Sequence, residues 1–332
     1  MVVSDTMLGG HGGAVVRHAE WFASRGWEVV VAARADEPDR VDSPYLRPVR
    51  FPETARDARS MRRAAADIWN LRRAFQPDVV HCHGGRAFVA TRPSGPAYVT
   101  LHQIAPVATD PRGYEHVRLA ALWVVPRLAV KAFSAYPGAP DGWVFTPHAS
   151  DRLSSLDVLG PPTAAQPTFL WLARLDEPKR PELFVRAMAE LARTRPGARG
   201  LMAGSGSLRP DVERLVATTG APVELLGNRT DVSELLETAW AVVVFSDTEA
   251  LTFSIQEALW SGRAVVSSPL VGIRWLVGDD RLLAGNVTEA VSAFDLLCDP
   301  TSRDTVAAAG AVRIRERLRP DDPWPTIEKA YG

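Results

Sequence analysis

Short runs of β-branched and other apolar residues recur along the chain, separated by stretches in which an apolar residue returns every three or four positions. The runs are Val29–Ala33, Asp78–His83, Ala97–His102 and Trp143–Pro147, then Thr168–Arg174, Gly200–Gly204, Val223–Gly227, Ala241–Ser246 and Arg263–Ser268. Helical spacing covers Ala14–Arg25, Asp57–Phe75, Pro181–Arg195, Asp231–Thr238 and Ser254–Ser261. Apolar runs that are continuous rather than alternating predict strands buried on both faces. The fold class is therefore α/β, with parallel sheets covered by helices. Met1–Asp5 reads as the end of a first strand, either very short or cut at its start.

The pattern breaks once, at Asp157–Pro167 (DVLGPPTAAQP), where Pro, Gly and Ala replace any periodicity and a strand restarts directly afterwards. Two Rossmann-like domains follow from this: residues 1–156 and 168–318, joined by a linker over 157–167. Residues 319–332 carry Pro320 and Pro325 and then a short helical segment. There is no repeat of solenoid length and no low-complexity tract.

At 332 residues and 46% apolar content, both domains can bury sizeable cores. The net charge of −1 gives no global field towards nucleic acid or an anionic surface, so no nucleic-acid partner is expected. Lysine occurs only at Lys131, Lys179 and Lys329, which sets apart any lysine in a candidate site. Cys82 and Cys298 form neither a disulfide framework nor a zinc pattern, and a cytoplasmic location fits them. No secretory signal opens the chain. Leu119–Phe133, the most apolar helical candidate, is too short to span a bilayer and holds Pro126, Arg127 and Lys131. Asp57–Phe75 and its flank carry Arg56, Arg59, Arg62, Arg63, Arg72 and Arg73. These two stretches read as a packed helix and a solvated arginine face, or alternatively as a peripheral membrane contact.

Four residues carry most of the chemistry. Arg174 ends one strand and Lys179 follows five residues later; a bidentate fork and a compact ammonium at a strand exit suit a diphosphate. The other reading is a surface ion pair with Asp176 or Glu177. Glu249 lies in the exit loop of Ala241–Ser246, and Glu257 lies one turn into the next helix. Carboxylates there suit sugar and ribose hydroxyls, because ligands of open α/β sheets sit at strand carboxyl ends beside helix N-termini. Against this, Ser254-x-x-Glu257 is also a capping box, and Glu249 reads equally as a solvated loop acid.

Gly9–Gly–His–Gly–Gly13 lies between the first strand and its helix, where glycines permit close backbone approach. It is not a dinucleotide fingerprint: from Gly10 the spacing reaches Gly12 and then Val15, and from Gly204 it reaches Gly206 and then Arg209. No Walker motif and no D-x-D pair occur. All seven histidines precede residue 150. His102 ends its strand and projects towards the ligand end of the sheet. Alternation places His81 and His83 on one face with Cys82 opposite. A metal reading of His81-x-His83 lacks a third ligand at convincing spacing, so no metal is expected.

In order along the chain stand strand–Gly–Gly–helix, Thr100–Leu–His102, Leu172–Ala–Arg174–Leu–Asp–Glu–Pro–Lys179–Arg–Pro–Glu182, Ala203–Gly–Ser–Gly206, Leu226–Gly227–Asn–Arg–Thr–Asp231–Val–Ser–Glu–Leu–Leu236, and Glu249-x7-Glu257 before Gly262-x-x-Val–Val266. This order resembles the retaining glycosyltransferases of family four, over nearly the whole chain and most strongly from Thr168 to Ser268.

The resemblance implies a GT-B fold with the two sheets facing across a cleft, donor on the C-terminal side, acceptor on the N-terminal side, and closure completing the site. It implies that Arg174 and Lys179 hold the donor diphosphate, Glu249 meets sugar hydroxyls and Glu257 the ribose. The amides of Leu251, Thr252 and Phe253 would face the phosphates, and Gly204 belongs to the glycine turn. Gly12 and Gly13 would offer the diphosphate side of the first domain, and His102 would lie beside the donor sugar. The terminal helix around Trp324–Tyr331 would cross back to the first domain. The co-substrate would be a nucleotide-diphosphate sugar, with no cofactor. The acceptor, whether lipid, small metabolite, natural product or glycan, stays open. The chain departs from the family at Glu249–Ala250–Leu251–Thr252, where Glu-Gly is common, and at Leu270–Val271–Gly272, where Gly-Gly is usual. A sugar-nucleotide epimerase and a non-catalytic nucleotide-sugar-binding subunit are the alternatives.

Overall fold

The computed structural model describes residues 1–7, 9–34, 36, 42–51, 58–102 and 122–332. The chain forms two compact units: Met1–His148 with Asp321–Gly332, and Ala149–Pro320.

In the first unit, β1 (Val2–Ser4), β2 (Val31–Ala33), β3 (Leu46–Pro48), β4 (His81–His83), β5 (Tyr98–Leu101), β6 (Ala132–Ser134) and β7 (Trp143–Phe145) form one parallel sheet ordered β3-β2-β1-β4-β5-β6-β7. Helices α1 (Gly9–Ser24), α2 (Ala58–Phe75) and α3 (Gly85–Thr91) connect its first five strands. The sheet reverses direction of growth at β1 and β4, the position where such folds take ligands. Cys82 faces a dry core with Val3, Val99, Ile68 and Phe88, while Phe22 and Phe133 pack against Trp324 and Ile327 of the terminal helix.

Two elements differ from the sequence expectation. Of the expected helix Leu119–Phe133, residues 119–121 lie outside the described residues. Helix covers only 122–128, and the chain then turns into β6. The apolar content that reads as one helix is shared between a helix and a strand wedged between β5 and β7, where Phe133 and Ala132 are buried. The three-residue β3, Leu-Arg-Pro, is an edge strand with too few apolar positions to register as a run. Arg56 and Asp57 lie outside the described residues, as does His116.

In the second unit, β8 (Thr168–Leu172), β9 (Arg199–Ala203), β10 (Val223–Gly227), β11 (Ala241–Val244) and β12 (Ala264–Ser267) form a parallel sheet ordered β10-β9-β8-β11-β12. It is covered by α4 (Pro181–Thr194), α5 (Arg209–Thr219), α6 (Val232–Thr238), α7 (Phe253–Trp260), α8 (Val271–Val277), α9 (Val287–Leu297) and α10 (Pro300–Arg317). Phe169, Phe184 and Phe245 pack around Phe294 beneath the sheet.

The Pro/Gly-rich stretch 157–167 is no free linker. It belongs to the second unit, where Leu159 N–H donates to Ser261 O at 3.1 Å and Thr163 N–H to Glu237 O at 2.9 Å. The buried Arg263 guanidinium donates to Gly160 O at 2.8 Å and Leu236 O at 2.6 Å, tying the stretch to the start of β12. Arg263 thus serves packing, its charge met by carbonyls. The chain changes unit at 148/149 and again at 320/321, so α11 (Trp324–Tyr331) belongs to the first unit.

Candidate active site

In the second unit the switch point lies between β8 and β11, and their exit loops meet there. Arg180 N–H donates to Phe245 O at 3.1 Å and Asp247 N–H to Pro178 O at 3.0 Å, pairing Lys179 with Ser246 as an antiparallel bridge. This lock aims the Lys179 side chain at Glu249. The Lys179 ammonium and one Glu249 oxygen form an ion pair, and the other oxygen accepts from Thr252 Oγ1 at 2.9 Å. The two side chains are 14% and 15% exposed, so neither is a freely solvated loop charge. Thr252 is the N-cap residue of α7 with an extended backbone, yet its hydroxyl is spent on Glu249 and no side chain caps the helix.

Ser254 therefore stands inside α7, not at its cap, and the alternative reading of Ser254-x-x-Glu257 as a capping box does not hold. Glu257 points instead to the first residues of the unit: it accepts from Ser150 Oγ at 2.6 Å and lies 3.7 Å from Arg152 Nη1. Burial raises its pKa, while the Ser150 bond and the Arg152 charge pull the other way. Ser150 N–H also donates to Gln256 Oε1 at 2.9 Å. Ser150 carries no sequence signal beyond residue type and was missed, whereas Thr252 was expected through its amide and not through its hydroxyl.

Arg174 pairs with Asp176 at 3.0 Å and is 71% exposed, the surface-pair geometry set out above. Asp176 does more than neutralise it, for its Oδ1 accepts from Ser207 N–H at 2.5 Å and Ser207 Oγ at 2.8 Å. Those bonds hold its carboxyl below the usual range and tie the β8 exit loop to the glycine turn. Gly204 has φ +142°, and a Cβ there would sit 2.0 Å from Ala173 O. Gly206 is equally constrained, 2.4 Å from Leu175 O. These glycines exist because two loop backbones lie against each other. At the departure noted after Glu249, a Cβ on Gly272 would lie 1.8 Å from Ala250 O, so α8 starts directly against that loop. Leu251 is buried, and Thr252 and Phe253 are partly exposed.

In the first unit, Gly12 brings α1 against the β1 exit, since its Cβ would meet Met7 O at 1.9 Å; Gly13 has room, with Arg17 Nη1 at 3.5 Å. Arg86 donates to Asp5 Oδ2 at 2.5 Å across the same edge. Beside them, six of the seven histidines gather. The ring centroids of His11 and His102 are 4.4 Å apart, those of His102 and His148 4.7 Å, and those of His83 and His102 5.0 Å. His18 Nδ1 and His83 Nε2 are 2.8 Å apart, and His83 Nδ1 and His102 Nε2 2.7 Å. His81 Nε2 lies 2.7 Å from Thr100 Oγ1, and Tyr331 OH lies 2.6 Å from His81 Nδ1 and 3.1 Å from His18 Nε2. Burial drives the imidazoles towards neutrality: His81 and His148 are lowered to about 3, and His18, His83 and His102 well below their ordinary value.

Sequence spacing offers no third ligand for His81 and His83, but the fold supplies His18. Nitrogens of the three lie within 4.8 Å of one another, each already engaged in the hydrogen bonds above. Cys82, on the opposite face, is pushed up to about 12 by burial and is unreactive.

Two family models match the chain: "Glycosyltransferase Family 4" over residues 8–141 and "Glycosyl transferases group 1" over residues 166–299. With two parallel Rossmann-like sheets, these matches define a GT-B glycosyltransferase, an enzyme that transfers glycosyl groups. Neither alternative, epimerase or non-catalytic subunit, is favoured.

Among curated proteins, the chain is similar to the GalNAc-alpha-(1->4)-GalNAc-alpha-(1->3)-diNAcBac-PP-undecaprenol alpha-1,4-N-acetyl-D-galactosaminyltransferase of Campylobacter jejuni. The two are 32% identical over 120 residues, 35% of this chain and 33% of that one, so the alignment spans a third of that relative's length. Among solved structures, it is similar to sucrose-phosphate synthase from Thermosynechococcus elongatus, at 18% identity and TM-score 0.78 over 95% of this chain and 94% of the other. Anabaena HepE in complex with UDP-glucose gives 15% identity and TM-score 0.74 over 99% and 97%. The structural likenesses establish the fold. Among the described residues, no helix is long and apolar enough to cross a membrane.

Proposed function

We propose that the chain is a retaining, metal-independent glycosyltransferase of family four. It moves a sugar from a nucleotide-diphosphate sugar to an acceptor hydroxyl and uses no cofactor. The observation that carries this reading is the Lys179–Glu249–Thr252 array at the β8/β11 switch point, directly ahead of the α7 N-terminus. A cation, a carboxylate and helix amides within one loop junction are the groups a diphosphate-linked sugar needs.

In this reading Lys179 and Arg174 take the diphosphate, with the amides around Leu251, Thr252 and Phe253. Arg174 leaves its exposed pair with Asp176 at little cost. Glu249 meets the sugar hydroxyls, while Glu257, steadied by Ser150, meets the ribose. Gly204 shapes the floor. Gly12 and Gly13 serve the diphosphate, and His102 the donor sugar near the acceptor. The bond from the anomeric carbon to the diphosphate breaks with its electron pair going to the phosphate oxygen, and the bond to the acceptor oxygen forms. The acceptor proton passes to the departing diphosphate. Charge on that leaving group is what Lys179, Arg174 and α7 stabilise.

HepE's complex with UDP-glucose puts uridine first among donor bases to test. The Campylobacter relative's name, with its PP-undecaprenol acceptor, favours a lipid-linked acceptor. So does an apolar surface on the first unit: Trp123, Val124, Leu128 and Val130 are each about half exposed, beside Arg127 and Lys131. An exposed tryptophan flanked by apolar and basic side chains suits a peripheral membrane contact of an otherwise cytoplasmic enzyme.

Thermal shift against UDP, GDP, ADP and dTDP and their sugars, without metal, tests the donor site. Saturating ligand at a hundredfold excess over Kd adds about 2.7 kcal/mol. One nucleotide should shift wild type and not Lys179→Ala, and no shift with any nucleotide would sink the donor site. Turnover that survives a chelator, giving a product of the donor's anomeric configuration, checks the remaining terms. Sedimentation with vesicles, lost in a Trp123→Ala/Leu128→Ala variant, checks the membrane contact.

A further inference from the structure

The hydrogen bonds among the buried histidines form one unbranched line: Thr100, His81, Tyr331, His18, His83, His102. Its five contacts are 2.6–3.1 Å long. A neutral imidazole has one N–H and one lone pair, and a phenol can accept one bond while donating another. Each contact needs one proton. Tyr331 could accept from both His81 and His18 only by leaving its own phenol proton without an acceptor among the described residues, the cost of an orphaned buried donor. Two arrangements remain, all protons pointing one way or all the other.

Thr100 chooses between them. Its hydroxyl is fully buried, and His81 is its side-chain hydrogen-bond partner among the described residues. If His81 donated to Thr100, the hydroxyl proton would be left in the core without an acceptor, at a cost of about 1–3 kcal/mol. Thr100 therefore donates to His81 Nε2. His81 Nδ1–H then donates to Tyr331, Tyr331 O–H to His18 Nε2, His18 Nδ1–H to His83 Nε2, and His83 Nδ1–H to His102 Nε2. Of these four histidines His102 alone is partly exposed. The low pKa values keep all four uncharged at neutral pH, which the count requires.

We propose that Thr100 and Tyr331 are positioning residues that lock His102 as its Nδ1–H tautomer, so that the end of β5 presents a hydrogen-bond donor. With Nε2 already accepting and Nδ1 protonated, His102 has no lone pair to offer and is not a general base. Resting on the glycosyltransferase reading above, its N–H meets an oxygen of the donor sugar or acceptor, while the acceptor's proton leaves by another route.

The test is a 15N-imidazole NMR spectrum of the full chain at neutral pH, without donor or acceptor, assigned by single-histidine variants. All four histidines should give the Nδ1–H pattern, opposite to the Nε2–H form that free histidine prefers. Thr100→Val removes the choosing hydroxyl and should move His102 to a mixture of tautomers, and Thr100→Ser should restore the single form. Tyr331→Phe should cut the line at its middle and release His18, His83 and His102. An Nε2–H signal at His102 in wild type would overturn the proposal. So would an unchanged tautomer in both Thr100→Val and Tyr331→Phe, failure of Thr100→Ser to restore it, or a co-purifying metal bound to these nitrogens. If neither variant folds, the wild-type spectrum decides alone. Nucleotide binding plays no part in this readout, so a failed donor site and a failed tautomer lock are told apart.

Discussion

At the exit of β8 and β11 the second unit sets a lysine against a glutamate; at the exit of β1, β4 and β5 the first unit sets imidazoles against imidazoles. Both units have the same strand order around a switch point, yet they keep polarity there by different means. The second unit keeps full charges, nearly buried, with a dry aromatic core beneath them. The first keeps neutral donors and acceptors and carries them into its core, as far as the terminal helix. The contrast suits the two tasks assigned above. A departing diphosphate needs charge, whereas an incoming hydroxyl needs orientation, which neutral hydrogen bonds supply without attracting the wrong ion.

The sharpest way to break the comparison is acid. The buried histidines hold folded pKa values below the unfolded value near 6.5, with His81 and His148 at about 3. The unfolded chain thus takes up protons first, and the stability these groups contribute is whole above pH 6.5. It falls as the pH drops towards 3, by about 1.4 kcal/mol per pH unit for each histidine kept neutral. All seven histidines precede residue 150, so the second unit has none. Hydrogen exchange read by mass spectrometry at pH 7 and 5.5, corrected for intrinsic rates, should show the first unit losing protection and the second keeping it. Equal losses would dissolve the distinction.

Next in size is Lys179→Ala, which should lower transfer by about 10²–10³-fold, or roughly 2.7–4 kcal/mol of transition-state stabilisation, measured as kcat at saturating donor. A third pair of variants compares neighbouring glycines. Gly12→Ala drives a Cβ to 1.9 Å from Met7 O and should destabilise by about 1–3 kcal/mol, whereas Gly13→Ala has room and should gain up to about 1 kcal/mol from helix propensity. Urea melts of both report the difference. The smallest effect on stability belongs to Arg174→Ala: its pair is exposed, so the unfolding free energy should stay within about 0.5 kcal/mol of wild type while nucleotide affinity falls.

Much of this was legible in the sequence where the signal is local. Buried parallel strands announce themselves as continuous apolar runs, so Thr168–Arg174 and Ala241–Ser246 located β8, β11 and the loops that hold Lys179 and Glu249. What escaped depends on contacts distant in sequence. The Thr100–His81–Tyr331 line joins residues up to 250 positions apart, and no spacing rule reaches that far. The stretch 157–167 looks like a linker by composition because its anchors, Arg263 and Ser261, lie about a hundred residues later. Ser254-x-x-Glu257 has the letters of a capping box, but the helix starts two residues too early for it. The split between residues 122–128 and β6 was hidden because buried helix and buried strand share one apolar vocabulary.

The assignment of α11 to the first unit has a consequence for the order in which the enzyme is made. A ribosome delivers the chain from its amino end, so β1–β7 emerge long before α11, and the whole second unit is synthesised in between. Throughout that interval Phe22 and Phe133 lack Trp324 and Ile327, and His18 and His81 lack the hydroxyl they share. The second unit, contiguous in the chain, has no such wait. The first unit is thus completed only after the second, and a nascent polypeptide still attached to its ribosome carries a complete second unit while the first still lacks its terminal helix.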